Sequence, residues 1–559
     1  MTATADPNAA APAPAPAPVS PELTLKGAWP YVLAASLIAL AQGLGQGFIS
    51  ANLSQMAGDL GITTTEASWM MAAYMVPRSA LPIILMKLRT QYGLRRFAEV
   101  GIIAFVLASF ASIWISDLRS AIVVQFLSGL AAAPLSTLAF LYMLDNLPEV
   151  WKLRFGLPAV MTFMLLGTPL ARVISPALMQ DAGTGGLHLL MLGLALVMLG
   201  LIYVLPLRPV PHAKVIAPLD LVSFGLISAG FAGLTVAAIQ GPIHWWTDTA
   251  WVAIWLAGGI AALALAAMIE LNRKVPLMDI RWLVSPAMLH LTGALFLFRL
   301  ILSEQSAGAP RMFMVLGVGP GQMVPLFTVI SVATVMGGLA CIAWIAPRRE
   351  VWFHLAALVL IAAGAWMDSQ STVDTRPQQF IISQAMIGCA GMLFMPPAMM
   401  AGLLSALARG PAYILSFVII FISTQSLGGI LGSGLFTSII NYRQAFHMRV
   451  LAEQLDAGAA RSGALIGQVA ATLSPQISDP ALRQAGAVTA IGRQVAQQAW
   501  VLAYNDAYFL TFLVAVAALA ALLLHLLRDW LAQAVFRIGP PQPHHTAAAQ
   551  TPPQAAAPR

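Results

Sequence analysis

Apolar runs long enough to cross about 30 Å of hydrocarbon recur almost without pause between Trp29 and Arg528. Fourteen are placed near 29–49, 67–87, 97–116, 120–144, 155–178, 187–207, 221–240, 249–270, 287–313, 322–345, 351–368, 379–404, 412–440 and 507–528. A helix satisfies all of its backbone N–H and C=O groups internally, so each run is predicted to be a membrane-spanning helix. The first run shows no small-residue cleavage pattern and is expected to persist as span 1. Residues 1–25 and 540–559 are Ala/Pro-rich and read as disordered tails. The polar stretch 441–506 contains Arg443, Arg449, Glu453, Arg461, Arg483 and Arg493. Within it Leu451 and Leu455, then Val495, Ala499 and Leu502, recur at helical spacing, which predicts two amphipathic helices joined by a loop.

Composition agrees with the pattern. The 559 residues are 59% hydrophobic and 9% charged, whereas soluble domains carry about 25% charged residues. A water-exposed globular surface is thereby excluded. The net charge of +7 does not indicate nucleic acid, because the basic residues fall in short loops rather than in a patch. With a cytoplasmic N-terminus, the inside loops hold Lys87, Arg89, Arg95, Arg96, Lys152, Arg154, Arg208, Lys214, Arg273, Lys274, Arg281, Arg348, Arg349 and Arg409. The short outside loops hold little beyond Arg119 and Arg376. This asymmetry predicts an even number of spans, both termini cytoplasmic, and 441–506 outside. Cys341 and Cys389 lie within apolar runs and read as small core residues. No P-loop, His/Cys metal spacing or nucleophile elbow is present, so neither an enzyme nor a cofactor or metal is expected.

Several stretches resemble the fourteen-span drug:proton antiporters of the major facilitator superfamily, in particular the EmrB-like branch. They are Trp69 and Tyr74 in span 2; Gly93, Arg95 and Arg96 in the loop after it; and Pro218, Leu219, Asp220 and Gly225 opening span 7. Further along come Glu270 to Leu277, then Leu427, Gly428, Gly429 and Gly432 in span 13, then Arg443, His447, Leu451, Asn505 and Asp506. Departures stand beside them: Met86 and Thr90 in the loop motif, Gln125 in span 4 and Gln425 in span 13 where the family carries Arg, and a span 5 motif reduced to Gly167, Pro169, Ala171 and Arg172. The resemblance implies an all-α integral membrane protein with the major facilitator fold, two six-helix bundles plus two inserted helices. The divisions expected are a tail over 1–25, a bundle over 26–207, extra helices over 208–286, a bundle over 287–528 including 441–506, and a tail over 529–559. Gly93, Arg95 and Arg96 are the expected gating loop.

Ionisable side chains at membrane depth cost about 2.5–3.5 kcal/mol on insertion scales and are functional candidates. Arg78 and Arg172 lie on spans that face or flank the central cavity of the resembled fold, and guanidinium binds carboxylate bidentately. Arg299, Gln125, and the Gln42–Gln46 pair one helical turn apart on span 1 complete the candidate substrate residues; the two glutamines either meet substrate or bridge to another span. Glu304 is the candidate for proton coupling, with Arg311 two turns away on the same face of span 9. Asp220 and Glu270 read as solvated groups at helix ends.

The expected activity is proton-driven export of small organic compounds across the bacterial inner membrane. Organic anions or aromatic acids compete with lipophilic cations as substrates, and a non-transporting membrane sensor or scaffold is the alternative from another class. The partners expected are small-molecule substrate, protons, membrane lipid and, by resemblance, an EmrA-like periplasmic membrane-fusion adaptor with an outer-membrane channel. The 441–506 segment is the expected docking surface for that adaptor. Deleting its helices should abolish adaptor binding while leaving the chain folded; unchanged binding would contradict that role.

Overall fold

The computed structural model describes residues 25–207, 213–274, 276–347, 349–457 and 459–534. Arg208, Arg348 and most of the two Ala/Pro-rich ends lie outside them. Among the described residues every regular element is a helix. Among the described residues thirteen helices are long and apolar enough to cross a bilayer, fourteen when a bent pair counts as one. That pair is span 2, Thr64–Ala80 followed by Pro82–Tyr92 with a 49° bend. Pro82 opens the second limb and has no N–H to continue the first limb's ladder, which accounts for the bend. Local chemistry also fixes helix starts. Thr63 and Glu66 form a reciprocal capping box at span 2. At span 4, Asp117 accepts hydrogen bonds from the side chain and backbone of Ser120, which hold its carboxyl below the usual range.

Small residues set the packing, as expected where lipid supplies no hydrophobic drive between helices. Gly43 of span 1 sits directly against Gly167 of span 5, where any Cβ would strike backbone. Gly338 of span 10 admits Thr162 of span 5, so the two halves of the chain meet closely there. Span 7 (Pro218–His244) touches both halves. Its Gln240 donates to Ser68 Oγ of span 2 at 2.9 Å, and its Pro242 carbonyl accepts from Asn441 beyond span 13 at 2.9 Å.

The polar segment 441–506 departs from expectation. Span 13 belongs to one 47-residue helix, Pro411–Ala457, and span 14 to a 55-residue helix, Pro480–Ala534. Between them lies one short helix, Ala459–Thr472. At 1.5 Å per residue the long helices measure roughly 70 and 80 Å, over twice a bilayer core, so both project from one end of the bundle as a hairpin. Asp506 Oδ2 ties them together, accepting from Arg443 Nε at 2.5 Å and meeting His447 Nε2 at 2.6 Å. Polar residues end an apolar run without ending a helix, which is why hydropathy broke these elements early.

At the opposite end, the base, the expectation of solvated acids is also corrected. Asp220 is wholly buried and Glu270 nearly so. Asp220 pairs with Lys87 Nζ of span 2 at 2.8 Å and with Arg273 Nη2 at 2.6 Å. Glu270 pairs with Arg273 Nη1 at 2.7 Å and accepts from the Leu277 N–H at 2.5 Å. Spans 7 and 8 close over their own charges and fasten to span 2, so lysine and arginine replace water.

Breaking a buried pair from one side leaves a stranded charge, at about 3–5 kcal/mol. Asp220→Asn should therefore lower the unfolding midpoint of the purified protein by several degrees. An unchanged midpoint would mean that the cluster does not hold spans 7 and 8 in place.

Candidate functional site

Spans 1 and 2 build the first part of the site. Gln42 and Gln46 are four residues apart and present their amides from one face of span 1. Arg78, in the last turn before the span 2 bend, donates through Nη1 to Gln46 Oε1. With its amide assigned carbonyl inward, Gln42 accepts from Nη2 and, at 3.1 Å, from Nε of the same guanidinium. The two glutamines thus bridge to another span. Three of the five guanidinium N–H groups are spent on amide carbonyls, a fourth is directed from Nη1 to Met75 Sδ at 3.8 Å, and one on Nη2 remains for a ligand. The guanidinium also lies 5.8 Å from the Tyr74 ring centroid.

Arg299 on span 9, in the other half of the chain, lies near enough to Arg78 for the two positive charges to act on one another electrostatically. Its side chain lies in a trough on span 13. A Cβ at Gly428 would sit 3.1 Å from its Cβ and Cγ, and one at Gly429 3.0 Å from its Nε. The Nε donates to the Gln425 carbonyl at 3.3 Å. The glycine run therefore admits a guanidinium to the interface between halves. Among the described residues no carboxylate pairs with Arg78 or Arg299: the ion pairs lie at the base, on the hairpin and on exposed surfaces.

The remaining sequence candidates scatter. Gln125 is buried in span 4. Arg172 lies toward the hairpin end, 5.1 Å from the Phe327 ring centroid of span 10. Gly93 has a positive φ of 84° at the joint between spans 2 and 3, a conformation that favours glycine. Arg95 pairs with Glu99 on its own helix at 2.9 Å, and Arg96 is exposed. In this structure the span 2 end is linked to the inserted helices by Lys87, which pairs with Asp220, and by Gln91 Oε1, which accepts from the Ile216 N–H at 3.0 Å just before span 7.

Glu304 and Arg311 do not share a face. Residues Glu304–Gly308 form a π turn inside span 9, and its wider winding shifts the phase of everything after it. Glu304 turns inward and is fully buried, while Arg311 turns out to donate to Thr437 Oγ1 at 2.8 Å. Neither carboxylate oxygen of Glu304 accepts a hydrogen bond from a described donor. Its polar neighbours are Asp368 and Thr511. Asp368 is 1% exposed; it accepts from Ser383 Oγ and, at 2.7 Å, from Gln384 Nε2. Two carboxyl groups thus lie side by side with the fully buried Tyr508 close by. Asp368 escaped the sequence reading because it ends an apolar run, where an acid ordinarily meets water; Ser383 and Gln384, about fifteen residues on, become a signal only once spans 11 and 12 are packed.

The sequence model of the Major Facilitator Superfamily matches residues 35–433. The chain belongs to that superfamily. No curated protein sequence matches it. The fold is similar to that of the human organic anion transporter MFSD10, with a TM-score of 0.51 at 13% identity, covering 87% of this chain and 98% of that one. It is likewise similar to the POT family transporter PepTSo, with a TM-score of 0.50 at 12% identity, covering 86% and 98%. For the proton:xylose symporter XylE the TM-score is 0.49 at 13% identity, covering 87% and 94%. At such identities the likeness to MFSD10 and PepTSo speaks for the fold alone, and superfamily membership makes this a multi-pass membrane transporter; the chemistry of the site rests on this chain's own residues.

Proposed function

We propose that this chain is a proton-driven exporter of small organic anions, working across the bacterial inner membrane with both termini cytoplasmic and the hairpin outside. The observation that carries the reading is the Arg78–Arg299 pair: two guanidiniums, one from each half, near enough to repel one another, with no carboxylate of a described residue ion-paired to either. A carboxylate entering between them converts a repulsion into two charge-assisted contacts, one to the N–H left on Arg78 Nη2 and one to the Arg299 guanidinium. A lipophilic cation meets the opposite field, which disfavours the multidrug alternative. A scaffold has no use for unneutralised charge at the seam between two moving halves, where rocking alternates access in this fold.

Glu304 and Asp368 supply the coupling. Two carboxyl groups in contact in apolar surroundings do not both ionise readily, so the pair is read as sharing a proton. Glu304 lies five residues after Arg299 on one helix, and Ser303 Oγ between them donates to the Arg299 carbonyl at 3.3 Å. Loss of the shared proton leaves an extra negative charge in a closed pocket, which favours the state in which that pocket is hydrated. Import of a proton and export of an anion then alternate on one element, span 9. The EmrB-like resemblance supports the direction of transport and the adaptor partner.

Uptake into inverted membrane vesicles with an imposed pH gradient tests this, comparing labelled aromatic acids with lipophilic cations. Acid uptake should need the gradient and fall about 10–100-fold with Arg78→Ala or Arg299→Ala, as expected for removing charged hydrogen bonds of 1.5–3 kcal/mol. Glu304→Gln should keep acid binding but lose stimulation by the gradient. Cation uptake indifferent to all three substitutions would overturn the reading.

A further inference from the structure

A second pair of arginines lies between the central site and the hairpin end, and the proton-coupled reading above does not use it. Arg172 of span 5 and Arg311 of span 9 come from opposite halves and act on one another electrostatically. No carboxylate of a described residue pairs with either. Arg311 borders a pocket of about 370 Å³ whose wall includes Thr437, Asn441, Trp500 and Tyr504, within the usual range of about 300–1,000 Å³ for small-molecule sites. Arg172 borders a smaller pocket of about 40 Å³ with Asn52, Ser175 and Phe327. Met314, a flexible side chain, lines both. Trp500 and Tyr504 lie one turn apart with ring centroids 6.2 Å from one another. They form an aromatic wall beside the Arg311 guanidinium.

We propose that Arg172 and Arg311 form a second anion station for the same aromatic acids, a staging site on the hairpin side of the central Arg78–Arg299 pair. The carboxylate bridges the two guanidiniums as Met314 swings aside, and the ring lies against Trp500 and Tyr504. Thr437 already takes one donor of Arg311, which fixes the guanidinium and leaves its other N–H groups for the ligand. The station rests on the anion reading of the transporter and adds a prediction of its own: two bound acids per chain, on separable residues. An anion handed between two cationic stations leaves the first without entering an uncompensated apolar gap.

Calorimetric titration of the full-length purified protein with naphthoate tests the proposal, with Arg311→Gln and Trp500→Ala for the outer station and Arg78→Ala for the central one. Arg311 is exposed, so its replacement is not expected to disturb folding, and the thermal midpoint checks this for each variant. Two bound naphthoates per chain are expected, one lost with Arg311→Gln, weakened about tenfold with Trp500→Ala, the other lost with Arg78→Ala. One naphthoate, removed by Arg78→Ala and untouched by Arg311→Gln, overturns the outer station and leaves the central reading intact. One naphthoate with the opposite dependence overturns the central reading and keeps the station. No binding at all overturns both.

Discussion

A guanidinium at membrane depth without a carboxylate beside it costs several kcal/mol, and the chain accepts that cost at Arg78, Arg172 and Arg299. All three lie where the halves of the protein meet rather than within one packed half. Amide and carbonyl dipoles from Gln42, Gln46 and Gln425 hold two of these groups in place. Dipoles orient a charge and do not cancel it. The remaining positive field is what a substrate anion answers, and the packing around it follows: glycines on span 13 give Arg299 room, and a bend after Arg78 ends the first limb of span 2 beside it.

The base shows the opposite treatment of the same chemistry. There Lys87 and Arg273 are matched by Asp220 and Glu270, and the cluster is buried with its charges balanced. It fastens the two inserted helices to span 2 and contains nothing a ligand would complete. The Glu304–Asp368 pair is a third case, acid against acid, with Ser383 and Gln384 donating to Asp368 and Thr511 beside Glu304. Matched charges make a fixed joint; unmatched positive charges make a receptor for an anion; unmatched acids make a receptor for a proton. Span 9 contains Arg299, Glu304 and Arg311, so binding and coupling share one backbone with a π turn in its middle.

The spans were legible because membrane helices announce themselves by length and apolarity, and each of the fourteen runs placed from hydropathy overlaps a helix of the structure. Their ends were less so: Pro411–Ala457 and Pro480–Ala534 continue through polar residues that hydropathy counts as loop. Arg78, Arg299 and Glu304 stood out because charge in an apolar run is rare. Their partners did not. The reach of Gln42 and Gln46 to Arg78, the seat of Arg299 on Gly428 and Gly429, and the meeting of Glu304 with Asp368 are tertiary facts with no local signature. The supposed Glu304–Arg311 face failed for a definite reason, a π turn that ordinary helical counting steps over.

The central claim is that an anion sits between Arg78 and Arg299. A structure determined with a bromine-substituted aromatic acid, its position located by the anomalous signal of bromine, tests this most directly. The account predicts the carboxylate within hydrogen-bond distance of both guanidiniums. A bound acid that touches neither arginine, or a carboxylate side chain of the protein filling the gap between them, would contradict it.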